Sequence, residues 1–385
     1  MDQQQARQLS ASFEDRYDSV PLLIFSPGRI NIIGEHTDYN LGYVLPAAID
    51  RGIFLALQKC GNKASTWVAW DIGEDFQPQI SNDTPGRAKG WKGYFYGILA
   101  ELKKRGIHPG TFNLMFSGNI PAGAGLSSSA ALENAFVFGL NELFELGLSR
   151  MDMVQISNAA EQNYMGVQCG IMDQYAGMFG QADQAIFLDC QTLESEKVPL
   201  NIQGYSWLLL DTGVKHSLAE SAYNERRSTC ESIAARFGVS SLRAVSMTML
   251  EEMRSAFPEG DYQKALYVLQ ENQRVLKAVE AIKTEDLATL GKLMFSSHKG
   301  LKEQYEVSCG ELDFLVDLAR ESEGVLGARM MGGGFGGCTL NLVRTELCQH
   351  LEVIFQRQFR RHFGRSLSTF TIHLGDGCQL LPDRP

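Results

Sequence analysis

The sequence predicts an α+β fold of two domains, and three observations carry that expectation. The 385 residues exceed what one small core needs, and 44% of them are hydrophobic, enough apolar surface to bury in two packed units. Strand-like alternation and helix-like periodicity are mixed through the first half, whereas the second half opens on a strand and is then mostly helical. The segment PLNIQG at 199–204 separates two apolar strands, which divides the chain into units 1–200 and 201–385.

Taken in order, alternating apolar positions place strands near 22–25, 53–57, 111–117 and 185–189, and helical patterns fall near 93–104, 128–144 and 152–164. Ser149 is placed to cap the last of these helices, with Asp152 three residues on in capping-box position. A strand at 207–210 is followed by a mostly helical stretch over 217–323, then the glycine-rich RMMGGGFGGCTLNLV, and a last helix and strand. Neither an internal repeat nor a low-complexity tract is present.

The formal net charge of -10 repels nucleic acid and anionic membranes, so neither is expected as a partner. A phosphorylated ligand would be repelled too, and must be held by local devices such as helix N-termini, a metal ion or a few placed cations. The opening MDQQQARQLSASFEDRYDS has no basic start and apolar run, and no stretch approaches the roughly 18 apolar residues of a membrane span. The eight cysteines follow no disulfide or zinc spacing and are expected as reduced thiols. Together these point to the cytoplasm.

Three segments carry chemistry. In NIPAGAGLSSSAALE, at 119–133, the glycines allow a tight turn with exposed backbone, and Ser127, Ser128 and Ser129 begin a helix whose apolar face follows. Unpaired N–H groups there and the positive end of the helix dipole make an anion site without a lysine, though an ordinary loop with a serine cap explains the same residues. Neither GxxxxGK[ST] nor GxGxxG occurs. In SPGRINIIGEHTDYN, at 26–40, Arg29 interrupts an apolar strand and needs an anionic partner if buried. Glu35 and Asp38 could accept hydrogen bonds from adjacent hydroxyls of a polyol or sugar and His36 could donate or accept, against the alternative of a polar surface turn. In GVQCGIMDQYAG, Asp173 stands at the start of a helix, where it could take a proton from a substrate hydroxyl or simply cap the helix. Glu161, near the end of the preceding helix, could ligate magnesium or face solvent. HExxH and GxSxG are absent, which leaves little for metallohydrolase or serine hydrolase chemistry.

In identity, order and spacing these segments, together with RMMGGGFGGC, resemble the GHMP small-molecule kinases over nearly the whole chain. GRINIIGEHTDYN is the most specific part and resembles the branch whose acceptor is galactose; Ile30 and Ile32, where valine and leucine are common, leave its polar positions intact. The resemblance implies two α+β domains with ATP and sugar in the cleft between them, and transfer of phosphate from ATP to the C1 hydroxyl of galactose. It implies Asp173 as catalytic base and Arg29 as the residue that stabilises the transferring phosphoryl group. It further implies sugar contacts from Glu35, His36, Thr37, Asp38, Gly170, Asp173 and Tyr223, and an ATP phosphate site at Gly123, Ala124, Gly125, Leu126, Ser127, Ser128 and Ser129. Magnesium (Mg2+) is implied on Ser129 and Glu161, and Trp91 is implied near the adenine, where packing of its own helix is the alternative. A sister kinase for N-acetylgalactosamine, arabinose or galacturonate is one rival. Another is a non-catalytic sensor of ATP and sugar that contacts a transcriptional repressor, although such relatives lack residues of the serine loop that are intact here. Oligomeric state is not legible, and a monomer is compatible with the sequence.

Overall fold

The computed structural model of the chain describes residues 1–61, 64–78, 88–121, 123–214 and 219–382. The expected start of the helical half at residue 217 lies outside them.

The first sheet has six strands in the order Gln379–Leu380, Leu22–Asn31, Pro46–Lys59, Phe112–Gly118, Trp67–Ala69, Glu74–Phe76. All neighbours are antiparallel except the Phe112–Gly118 and Trp67–Ala69 pair. Period-two alternation sorts its side chains: Ile24, Leu55 and Leu57 face the helix Ser128–Phe144, while Leu23, Phe25, Phe54 and Ala56 face the helix Gln3–Tyr17. The serine-loop helix lies so close to the sheet that a Cβ on Gly139 would sit 2.2 Å from the Leu57 side chain. The strand expected at 22–25 runs on to Asn31 and stays buried. Its later residues include Ser26, Arg29 and Asn31, polar side chains that hide a strand from any hydrophobic pattern.

The second sheet is antiparallel, in the order Val325–Met330, Cys338–Arg344, Tyr205–Asp211, Ser368–Ile372. Helices Gly310–Glu321 and Cys348–Phe363 cover one face, and Glu259–Lys283 with Leu287–Glu303 contribute to the other. The two halves share a continuous apolar core in which Ile30, Ile32 and Leu45 meet Trp207, Leu209, Val275 and Leu340. The chain's end returns to the first sheet, since Gln379 and Leu380 pair with Phe25 and Ile24 and Leu374 bridges Ile49. Both ends of the chain therefore build the first sheet.

Ser149 and Asp152 form the reciprocal capping box, and the α-helix runs over Arg150–Ala160. Where the sequence pattern continues a regular helix to residue 164, the backbone widens into a π turn over Glu161–Met165. Such widenings re-aim side chains at functional sites, and Glu161 is turned to the inside, 6% exposed. Among the described residues no helix is long and apolar enough to cross a membrane.

Candidate active site

The strand Leu22–Asn31 delivers Arg29 to the first turn of the helix Met172–Phe179. There Arg29 Nε donates to Asp173 Oδ1 at 2.8 Å and Nη2 to Oδ2 at 2.9 Å, a bidentate pair, while Nη1 donates to the Gly125 carbonyl at 2.6 Å. Arg29 is buried, as its place in an apolar strand requires, and Asp173 is the anion it needed. Burial works against its charge, but Asp173 and Glu35 outweigh it and raise the pKa.

Asp173 opens onto a cavity of ≈ 260 Å³ whose other walls are Glu35, His36 and Asp38, Glu161 and Cys169, Tyr223, and the glycines of 332–334. The turn that carries the first three is fixed from the second half of the chain. Glu271 Oε1 accepts from Gly34 N at 2.9 Å, the Tyr267 hydroxyl donates to the Glu35 carbonyl at 3.0 Å, and Asn272 Oδ1 accepts from Tyr43 N at 2.8 Å. Glu35 Oε1 accepts from Gly332 N at 2.8 Å and lies 3.2 Å from Nη2 of the fully buried Arg329. His36 sits at φ 62°, a left-handed conformation held by Asn40 Nδ2, which donates to its carbonyl at 2.9 Å. Burial lowers the His36 pKa to about 3, so the ring is neutral. Burial first, then the Asp173 charge, push Asp38 up to about 7. Gly170 gives Asp38 its room: a Cβ there would lie 2.1 Å from Asp38 Oδ2.

The serine loop behaves differently from a capped helix start. Ser127, at φ 58°, makes no side-chain cap, and its hydroxyl donates instead to Asp173 Oδ2. The first-turn N–H groups of Ser128–Phe144 are therefore not claimed by Ser127. Ser129 Oγ donates to Glu161 Oε1 at 2.9 Å, and Gln174 Nε2 donates to Glu161 Oε2 at 2.7 Å. Burial first, and Asp173 next, push Glu161 up to about 7. The glycines of the third segment press on this loop: a Cβ at Gly332 would meet Gly125 Cα at 3.2 Å, and one at Gly125 would meet the Met331 carbonyl at 3.1 Å.

Arg29, Glu35, His36, Asp38, Glu161, Asp173 and Tyr223 thus line one cavity, with Gly170 behind Asp38 and Ser129 behind Glu161. The expected phosphate-loop residues Gly123, Ala124, Gly125, Leu126, Ser127, Ser128 and Ser129 do not line this cavity, nor do Thr37 and Trp91. Thr37 does not line the cavity, because its hydroxyl donates to the carbonyls of Gly34 and Tyr43 at 2.8 and 2.6 Å and so shapes the turn. Trp91 packs on Phe76, Phe95 and Phe116 with Nε1 donating to Glu74 at 2.8 Å, also away from the cavity. Arg329, Gln174, Glu271 and Tyr267 are absent from the expectations. Arg329 had the signal that marked Arg29, an arginine inside an apolar strand; the others look like any residue of an amphipathic helix.

For magnesium, Ser129 and Glu161 offer two oxygens beside the open helix terminus. Among the described residues no cluster of three His, Cys, Asp or Glu side chains could hold a metal by itself. That donor set fits magnesium carried in by a nucleotide, which takes one or two protein ligands and completes its shell with phosphates and water.

Comparison with known proteins follows the same segments. Residues 11–59 match the galactokinase galactose-binding signature, 93–181 the GHMP kinase N-terminal domain and 278–347 the GHMP kinase C-terminal domain. The galactokinase of Thermotoga petrophila is 43% identical over 354 residues, covering 92% of this chain and 98% of that one. That of Clostridium acetobutylicum is 38% identical over 379 residues, covering 95% and 96%. The crystal structure of Lactococcus lactis galactokinase complexed with galactose superposes with a TM-score of 0.92 at 34% identity, over 97% of this chain and 99% of that one. A mevalonate kinase at 18% identity and TM-score 0.66 shares the fold.

Proposed function

The chain belongs to the galactokinase family of GHMP kinases, and on that premise we propose how its residues carry out the family's reaction. That reaction is ATP-dependent phosphorylation of α-D-galactose at the anomeric C1 hydroxyl, giving galactose 1-phosphate and ADP. The observation that carries the assignment of roles is the bidentate Arg29–Asp173 pair on the wall of a cavity closed by Glu35, His36 and Asp38.

Glu35, His36, Asp38 and Tyr223 bind the sugar and aim its C1 hydroxyl at Asp173. The proton of that hydroxyl passes to the Asp173 carboxylate as the sugar oxygen bonds to the γ-phosphorus and the bond to ADP breaks. Proton removal by a placed carboxylate accounts for about 10² to 10⁴ in rate. Arg29 keeps the base in place through two hydrogen bonds and brings a fixed positive charge to the transferring group, so positioning and electrostatics supply most of the acceleration. The N–H groups that begin Ser128–Phe144 and the exposed backbone of the loop receive the ATP phosphates. Ser129 and Glu161 would hold magnesium, which supplies neutralisation of the phosphate charge when bound. Thr37 shapes the sugar turn rather than touching the sugar. The cysteines form no disulfide among the described residues, which is compatible with a cytoplasmic location.

Release of ADP, followed over a panel of galactose, N-acetylgalactosamine, arabinose and galacturonate, tests substrate and class together. Turnover with galactose at the highest kcat/KM is expected. Turnover with another sugar alone would move the acceptor, and none with any sugar would leave only ligand binding.

A further inference from the structure

We infer that a buried chain of hydroxyls ending on Tyr39 fixes His36 as the tautomer protonated at Nε2, so that His36 faces the sugar as a hydrogen-bond donor; this rests on the assignment of the cavity to galactose. His36 Nδ1 is 2.8 Å from the Tyr39 hydroxyl, that hydroxyl is 2.7 Å from the Tyr305 hydroxyl, and the Tyr305 hydroxyl is 3.2 Å from Cys230 Sγ. All four side chains are buried.

The direction of the chain follows from counting hydrogens. Burial pushes Tyr39 and Tyr305 well above 10 and Cys230 up to about 11, so each keeps its hydrogen at neutral pH. The neutral imidazole brings one more. In one direction the thiol donates to Tyr305, Tyr305 to Tyr39, and Tyr39 to a bare Nδ1: three links use three hydrogens, and the imidazole hydrogen is left on Nε2. In the other, Nδ1–H donates to Tyr39, Tyr39 to Tyr305 and Tyr305 to sulfur. The thiol hydrogen then falls outside the chain, and a bare Nε2 is left buried.

The far side of the ring selects between the two. His36 lines the cavity, and its Nε2 is buried without a partner at hydrogen-bond geometry. The Gly333 carbonyl faces the ring and favours a proton on it. A bare Nε2 there would set two acceptors against each other, whereas an Nε2–H is attracted to that carbonyl. The donor can then turn to a galactose hydroxyl oxygen on binding. Tyr39 is thus a positioning residue, and Tyr305 with Cys230 holds its hydroxyl on line. Ring contacts of His36 with Tyr39, Tyr223 and Tyr305, at centroid distances of 5.8, 5.3 and 4.9 Å, keep the imidazole from flipping.

The test is long-range ¹⁵N–¹H correlation NMR of the full-length protein with [¹⁵N]histidine, the His36 signals being identified by their loss in His36→Asn. A hydrogen on Nε2 with Nδ1 as hydrogen-bond acceptor is expected in the wild type, and added galactose should shift the Nε2 proton while leaving Nδ1 an acceptor. In Tyr39→Phe the Nδ1 acceptor signature should vanish, with KM for galactose raised about 5- to 10-fold, the usual scale of one hydrogen bond, and KM for ATP unmoved. A hydrogen on Nδ1 in the wild type overturns the inference, and so does a Tyr39→Phe variant unchanged in both spectrum and KM. The wild-type spectrum decides the tautomer even where the variant does not fold. Because the spectrum needs no turnover, its outcome is separate from that of the sugar panel, which tests the kinase assignment itself.

Discussion

Arg29 grips both oxygens of Asp173, Nε to Oδ1 at 2.8 Å and Nη2 to Oδ2 at 2.9 Å, across 144 residues of sequence. Because Ser127 donates to the same Oδ2, the carboxylate has one orientation only. Asp173→Asn keeps the shape and removes the proton acceptor, so kcat should fall by about 10² or more with ATP affinity retained. Arg29→Lys keeps the charge and loses the fork, and a loss of similar size is expected. Single-turnover phosphate transfer with separately measured ATP binding checks both, and near-wild-type turnover in Asp173→Asn would remove Asp173 as the base.

Gly170 should tolerate no side chain. A Cβ would stand 2.1 Å from Asp38 Oδ2 and 2.3 Å from its Cγ. Gly170→Ala must therefore displace the Asp38 carboxyl from the cavity wall, and KM for galactose should rise at least about tenfold, the scale of a lost hydrogen bond to a charged group, with ATP affinity unchanged. Calorimetric titration with each ligand separates the two effects.

Asp38 links stability to pH with a definite sign. Its folded-state pKa is raised from 3.8 to about 7, so the folded chain holds this proton more tightly than the unfolded one. The contribution is intact below about pH 4 and is lost as pH rises to about 7, a cost on the order of 4 kcal/mol. Asp38→Asn removes the charge that must be buried. The variant should melt several degrees above the wild type at pH 8, with the gap closing toward pH 4, while its affinity for galactose falls. Melting curves over that range check the prediction; a gap that widens on acidification would contradict it.

The pair Ser129 and Glu161 predicts a metal phenotype. Ser129→Ala removes one of two proposed oxygens, 2.9 Å apart, and Glu161→Gln replaces the other's carboxylate with a neutral amide; each should raise the magnesium concentration needed for half-maximal turnover by about tenfold or more without altering galactose binding. Titration of manganese in the presence of ATP, followed by electron paramagnetic resonance, gives a readout independent of turnover. Unchanged manganese affinity in both variants would assign the metal elsewhere.

Parts of this protein were legible because their causes are local. The Ser149–Asp152 capping box closes within three residues, and the alternation in the Leu22–Asn31 strand shows which side chains go to which face until polar residues interrupt it. Arg29 could be marked as needing an anion because an unpaired buried guanidinium is too costly to keep. The same argument would have found Arg329. It could not name either partner, since Arg29 meets Asp173 across 144 residues and Arg329 meets Glu35 from the other half of the chain. The short strands Tyr43–Val44 and Trp67–Ala69 escaped because two or three residues show no period.

By itself, then, the sequence determined the chemistry on offer: a glycine-rich loop entering a helix, a buried arginine, a carboxylate at a helix start and a polar turn with the groups a sugar needs. Only the tertiary structure decided who meets whom. Packing of the helix Met172–Phe179 on the strand Leu22–Asn31 brings Arg29 beside Asp173, and the glycine-to-glycine contact of 125 with 332 lets two loops from opposite halves touch. Ser127 is turned from helix cap to partner of Asp173, the Thr37 hydroxyl is spent on a carbonyl of its own turn, and Glu161 at the start of the π turn meets Ser129. Caps and periodicities are settled by neighbours along the chain, whereas a site between two halves is settled by packing.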